Sequence, residues 1–341
     1  PDGVTAVTGG ATGCKLPAIA TRWNGPLNDT SDILVIDDDA LMRDLIVDWL
    51  EAAGYRVHKA TDCNSACSAL ERAPALVVSD MWMPGPCGPA AIAFLKKSSP
   101  ATKLIAISGH FGSGQGTSAE DAVSACRAAG ITLGLGFNRR YAPAYVEMMR
   151  RIRAGEIGDV LHIEGQHSGP TGYRLRPGNW RATRAEAPGG GMTARGIHAL
   201  DGMIQIAGLI TSVYALSERR KLPAEVELDD TTSMLLKFSS GATGYLGTVF
   251  ATGDFYRVHV FGAKGWLEMR GDTELISRGL DDKPERHTFP AIDKERAVLE
   301  AFADAVAEKR PCMVPPEQAV NGIAVLEAIV ASAAAGKAIS I

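Results

Sequence analysis

Short apolar runs recur through the first third of the chain, each followed by a polar turn and an amphipathic stretch. Positions 33–36, 75–79 and 103–108 are near-continuously apolar, as strands buried on both faces should be. Positions 40–53 place Leu41, Leu45, Ile46, Trp49 and Leu50 on one helical face, and Gly54 stops that helix. Alternation at 55–60 predicts another strand. Helices follow at 64–72, 89–97 and 118–129, and a last strand at 131–136. Strands alternating with helices in this way predict a doubly wound parallel sheet of five strands. After Arg140 the pattern changes. Strands dominate at 159–167, 210–217, 231–238, 243–251, 256–262 and 265–270, with helices at 145–154, 193–207, 294–308 and 316–335. This predicts an α+β domain on a large, mainly antiparallel sheet. Residues 1–31, rich in Gly, Thr, Pro and Asn, read as a leader or linker, so the domains are expected at 32–137 and 138–341.

The polar residues at the strand ends carry the chemistry. Asp37, Asp38 and Asp39 close the run 33–36, and Asp80 closes 75–79. Ligands of parallel sheets bind beyond the carboxyl ends of the strands. Carboxylates converging there repel one another unless a hard cation joins them, and Mg²⁺ is the natural one. Asp39 is placed to cap the following helix.

Composition changes this picture little. The 341 residues carry a formal charge of −4, with 46% hydrophobic and 22% charged residues, which is globular and implies no attraction to nucleic acid. The six cysteines, at 14, 63, 67, 87, 126 and 312, form no CxxC pair. Scattered thiols of this kind fit a cytoplasmic protein. No signal-peptide pattern and no apolar run of spanning length is read, so no membrane is expected.

Two resemblances follow from these motifs. Residues 32–137 resemble the receiver domain of two-component response regulators. The similarity is carried by Ile33-Leu34-Val35-Ile36-Asp37-Asp38-Asp39, Ser79-Asp80-Met81-Trp82-Met83-Pro84-Gly85 and Ile105-Ala106-Ile107-Ser108-Gly109. Asp80 follows Asp38 by 42 positions and Ser108 follows Asp80 by 28, as in that family. The fold implied is flavodoxin-like. The resemblance implies that Asp80 accepts a phosphoryl group and that Asp37, Asp38, Asp80 and the backbone carbonyl of Trp82 bind Mg²⁺. Ser108 would contact the phosphoryl group, and the donor would be a histidine kinase or phosphotransfer protein. The family's Lys-Pro after its fifth strand falls here near Phe137-Asn138, with Arg139 or Arg140 as the nearest cations.

Residues from about 131 onward resemble the C-terminal part of Gfo/Idh/MocA-type oxidoreductases. The motifs are Gly136-Phe137-Asn138-Arg139-Arg140-Tyr141, Gly189-Gly190-Gly191-Met192, Gly196-Ile197-His198-Ala199-Leu200-Asp201 and Asp229-Asp230-Thr231. Under that resemblance His198 is the acid/base of an NAD(P)-dependent oxidoreductase acting on a sugar or cyclitol. Ala194 stands where many members carry Asp, and Asp201 reads as a surface or capping group. The family's nucleotide-binding GxGxxG loop and catalytic Lys are not found, so NAD(P) is expected to bind poorly. Gly112-Ser113-Gly114-Gln115-Gly116 lacks the spacing of that loop. An open sheet face carrying Tyr245, Val249 and Tyr256 predicts a homo-oligomer.

Overall fold

The structure is a computed structural model. It describes residues 4–8, 32–80, 83, 85–86, 89–107, 119–128, 132–177, 182–184 and 187–341. These form two compact units, Pro1–Gly136 with Glu295–Pro316, and Phe137–Lys294 with Glu317–Ile341.

Unit 1 is built on a parallel sheet of β1 (Val4–Thr8), β2 (Asp32–Ile36), β3 (Arg56–Ala60), β4 (Leu76–Asp80), β5 (Lys103–Ile107) and β6 (Thr132–Leu135). Their spatial order is β3-β2-β4-β5-β1-β6. The sheet therefore has six strands rather than the expected five. The extra one, β1, comes from the presumed leader and pairs in parallel with both β5 and β6. Helices α1 (Ala40–Ala52), α2 (Cys67–Leu70), α3 (Pro89–Ser98) and α4 (Ala119–Ala128) connect the strands. One core layer joins Leu34, Ile36, Val77, Leu95 and Leu104, and the other joins Ile33, Val35, Val47 and Val78. Alternate residues of β2 and β4 thus enter opposite layers, which explains why their runs are apolar throughout.

Helix α7 (Lys294–Glu308) falls almost wholly within unit 1, whereas the sequence assigns all of 138–341 to one domain. Phe302 of this helix lies so close to Gly134 of β6 that any side chain at Gly134 would displace it.

Unit 2 contains a nine-stranded sheet. Its strands are β7 (Val160–Ser168), β8 (Ile210–Glu218), β9 (Thr231–Phe238), β10 (Thr243–Val249), β11 (Phe255–Gly262), β12 (Gly265–Arg270), β13 (Glu274–Gly279), β14 (Glu285–Thr288) and β15 (Ile339–Ser340). The order is β14-β13-β12-β11-β7-β10-β9-β8-β15, antiparallel except where β7 meets β10. Helices α5 (Pro143–Arg153), α6 (Ile197–Ala207) and α8 (Pro316–Ala335) cover one face, burying Tyr145, Met148, Leu200, Met203, Val325 and Ile329 against Val213, Leu236, Leu246, Val258 and Leu267.

Helix α8 is long and apolar enough to cross a membrane, contrary to the reading that no run reaches that length. Its contacts account for its composition. Asn321 Oδ1 accepts from Ile210 N–H at 2.8 Å, and Ser332 Oγ accepts from Ala215 N–H at 2.9 Å, so the helix packs along β8. The uncovered sheet face exposes Leu216 and Leu235 and leaves Tyr245 and Val249 half-buried. Tyr256 does not lie there. It alternates with Arg257 on β11 and is buried under the helices.

Candidate functional site: a carboxylate edge and a histidine cluster

The register of unit 1 builds the first site. Ile36 stands beside Ser79 across the β2–β4 pair, so the next residues along, Asp37 and Asp80, stand side by side at the carboxyl ends of β2 and β4. Neighbouring strands are about 4.8 Å apart. Ligand atoms of Asp37, Asp38 and Asp80 all lie within 4.8 Å of one another. Asp39 N–H donates to Asp37 Oδ1 at 2.9 Å, and Arg43 Nη1 donates to the Asp37 carbonyl at 2.7 Å, which fixes the turn. Asp39 Oδ1 accepts from Met42 N–H, capping α1. Burial raises the Asp37 carboxyl to about 6, and repulsion from Asp80, Asp38 and Asp39 adds to the effect. Three crowded oxygen donors suit a small hard cation such as Mg²⁺.

Trp82 and Ser108 lie outside the described residues, as do Gly112–Gly116. The two arginines near the end of β6 are committed elsewhere. Arg140 makes a buried bidentate pair with Asp201, Nε to Oδ2 at 2.8 Å and Nη2 to Oδ1 at 2.6 Å, and Nη2 also donates to Gln318 Oε1. Asp201 is therefore a core ion-pair partner, not a surface or capping group. Arg139 pairs with Asp272. In addition, β5 and β1 separate β6 from β4. Three strand spacings put the end of β6 about 14 Å from that of β4.

The second site lies in unit 2 around His198. A π-helical turn, Met192–Gly196, leads into α6. Gly196 permits it, because a side chain there would collide with Met192 and Thr248. Such turns concentrate at functional sites. The turn presents the Arg195 carbonyl to His167 Nδ1 at 2.7 Å, so that nitrogen carries the proton and Nε2 is left bare. The rings of His167 and His198 are 6.1 Å apart, His167 meets Tyr256 edge-on at 4.9 Å, and Phe137 meets His198 edge-on at 6.1 Å. The Arg139 guanidinium sits 4.3 Å from the Tyr256 ring centroid. Asp272 joins Arg139 through Oδ1 and Lys294 through Oδ2, the latter at 2.7 Å.

His198 Nδ1 is buried and has no hydrogen-bond partner. Burial, then Arg139, Lys294 and Arg195, lower the His198 ring to about 4, against a smaller opposing effect of Asp272. Burial likewise lowers His167 to about 3. Of this group the sequence singles out only His198 as a residue of an oxidoreductase site. His167, Tyr256, Asp272 and Lys294 lie on separate segments with no shared spacing, and only the fold gathers them.

Comparison with known proteins agrees with this two-part construction. Residues 33–125 match the response regulator receiver domain, and residues 145–268 match the GFO/IDH/MocA C-terminal domain. The chain thus joins these two domain types in one polypeptide. It is 26% identical over 230 residues to D-xylose 1-dehydrogenase (NADP(+)) 2 of Haloferax volcanii, covering 63% of this chain and 66% of that relative. An NAD binding oxidoreductase from Klebsiella pneumoniae shares the fold, with TM-score 0.70 at 17% identity over 92% of this chain and 99% of the other. So does an aldose-aldose oxidoreductase from Caulobacter crescentus, with TM-score 0.69 at 18% identity over 92% and 99%.

Proposed function

We propose that the protein is a phosphorelay component in which Asp80 accepts a phosphoryl group. The convergence of Asp37, Asp38 and Asp80 at one sheet edge carries this reading. Asp37 and Asp38, with Asp80, would hold Mg²⁺, which when bound neutralises charge on the phosphoryl oxygens. An Asp80 carboxylate oxygen forms the new bond to phosphorus. The bond from phosphorus to the donor's leaving atom breaks, and its electron pair stays with the donor, a histidine kinase or phosphotransfer protein. Arg43 and the Asp39 N–H hold Asp37 in place for this step. With Arg139 and Arg140 bound to Asp272 and Asp201, modification is expected to be weaker than in a receiver with its lysine. Mass spectrometry after acetyl phosphate and Mg²⁺ treatment tests the reading. Asp80→Asn should abolish the adduct, and an adduct that survives places the acceptor elsewhere.

The His198 cluster supports a second reading, an NAD(P)-dependent oxidoreductase acting on a sugar or cyclitol. There neutral His198 would exchange a proton with a substrate hydroxyl. Titration with NADH or NADPH followed by fluorescence separates the two. A micromolar Kd, about −8 kcal/mol, would favour this enzyme over the relay. Under either reading the open face of the nine-stranded sheet pairs with a second copy, and the protein works in the cytoplasm. Free Cys63, Cys67, Cys126 and Cys312 suit that compartment.

A further inference from the structure

We propose that unit 2 binds a small hydroxycarboxylate anion at His198, with Arg139 and Lys294 holding its carboxylate and the His167, His198 and Tyr256 side chains meeting its hydroxyls. The inference stands on unit 2 alone and requires neither phosphorylation nor a nucleotide.

Charge is the first argument. Asp272 is one carboxylate shared by two cations, with Arg139 on one oxygen and Lys294 on the other. That leaves one positive charge in excess, on side chains only 23%, 24% and 17% exposed for Arg139, Asp272 and Lys294. Nearby Arg195 is already paired with Asp254 at 2.9 Å, and Arg140 with Asp201. A cationic ligand would be repelled. A neutral polyol would leave the excess uncompensated. A carboxylate supplies the missing charge and accepts from both cations in charge-assisted hydrogen bonds.

The neighbouring rings are the second argument. His167 donates through Nδ1 to the Arg195 carbonyl and keeps a bare Nε2. His198 is partly exposed, and its buried Nδ1 is unpartnered, so Nε2 is the nitrogen an incoming group would meet. Burial and the surrounding cations keep both imidazoles neutral near pH 7. Burial also holds the Tyr256 phenol protonated. A hydroxyl can donate to a bare ring nitrogen and accept from a phenol, which a second carboxylate cannot do. A simple inorganic anion would leave these groups unused. A carboxylate bearing hydroxyls satisfies both halves of the cluster.

D-gluconate and D-glucitol test this, because they differ chiefly in the carboxylate. Isothermal titration of the full chain, without nucleotide, should show gluconate binding at least tenfold more tightly. Lys294→Met should weaken gluconate binding about tenfold and leave glucitol unchanged. Equal affinities, tighter binding of glucitol, no binding of either at millimolar concentration, or a Lys294→Met effect on both ligands alike would each overturn the proposal.

Discussion

The carboxylate edge of unit 1 and the histidine cluster of unit 2 are electrostatic opposites. In the first, burial, reinforced by like negative charges, pushes Asp37 up to about 6. In the second, burial, reinforced by like positive charges, pushes His198 down to about 4. Between them in character stands the Arg140–Asp201 pair, fully buried but balanced. Balanced charge is what a fold uses to hold itself together. Unbalanced charge, retained at a cost in stability, marks a place where something else completes the account. The sign of the imbalance is what our proposals read, a cation for unit 1 and an anion for unit 2.

This contrast predicts effects of opposite direction. Arg140→Ala should cost about 3–5 kcal/mol, because it strands a buried carboxylate. Urea unfolding measures this, and a loss below about 1 kcal/mol would remove the pair from the balanced class. Next in size is a pH effect in unit 2. His198 has a folded pKa of about 4 against an ordinary 6.5, so the unfolded chain binds the proton more readily between these values. Stability is therefore full above about pH 6.5 and falls as pH drops toward 4, by roughly 2–3 kcal/mol. His198→Gln should flatten that part of the profile, and an unchanged slope would show that His198 is not its source.

Smaller and opposite in sign to the arginine change, Asp80→Asn should stabilise the protein in EDTA by about 1 kcal/mol through relieved repulsion. With Mg²⁺ present the advantage should disappear. A variant less stable than wild type in EDTA would mean that the edge is not overcharged. Last, Leu235→Glu on the open sheet face should change monomer stability by no more than about 0.5 kcal/mol. It should nevertheless halve the mass seen by light scattering. A dimer that persists would move the interface off this face.

The two sites also differ in how far the chain announces them. Asp37 and Asp80 each follow an apolar strand directly, so one-dimensional pattern and parallel register suffice to bring them together. Strands 231–238 and 265–270 were legible for the same reason, since alternation over one buried face leaves a period of two. By contrast, β13, β14 and β15 are short, polar or edge-lying, and their sequences carry little of that period. The histidine cluster draws on a strand end, a π-turn, a hairpin and the start of α7, and no spacing links them. Asp201 was misread because a helical aspartate looks like a surface group until its partner, 61 positions earlier, is known. Tyr256 was assigned to the wrong sheet face for want of a register.

The placement of β1 has a kinetic side. Val4 is seated against Leu104, 100 positions along the chain, and Thr5 against Thr132, 127 positions along. Closing such loops is slow relative to local pairing. Strand β1 therefore waits for most of unit 1 before it finds its neighbours. Among the described residues β6 pairs in the sheet with β1 alone, so its own docking waits on the same event. Deleting Val4–Thr8 would thus remove an interior strand of the sheet. It would leave the strand that leads into unit 2 without a hydrogen-bonded neighbour in the sheet of unit 1.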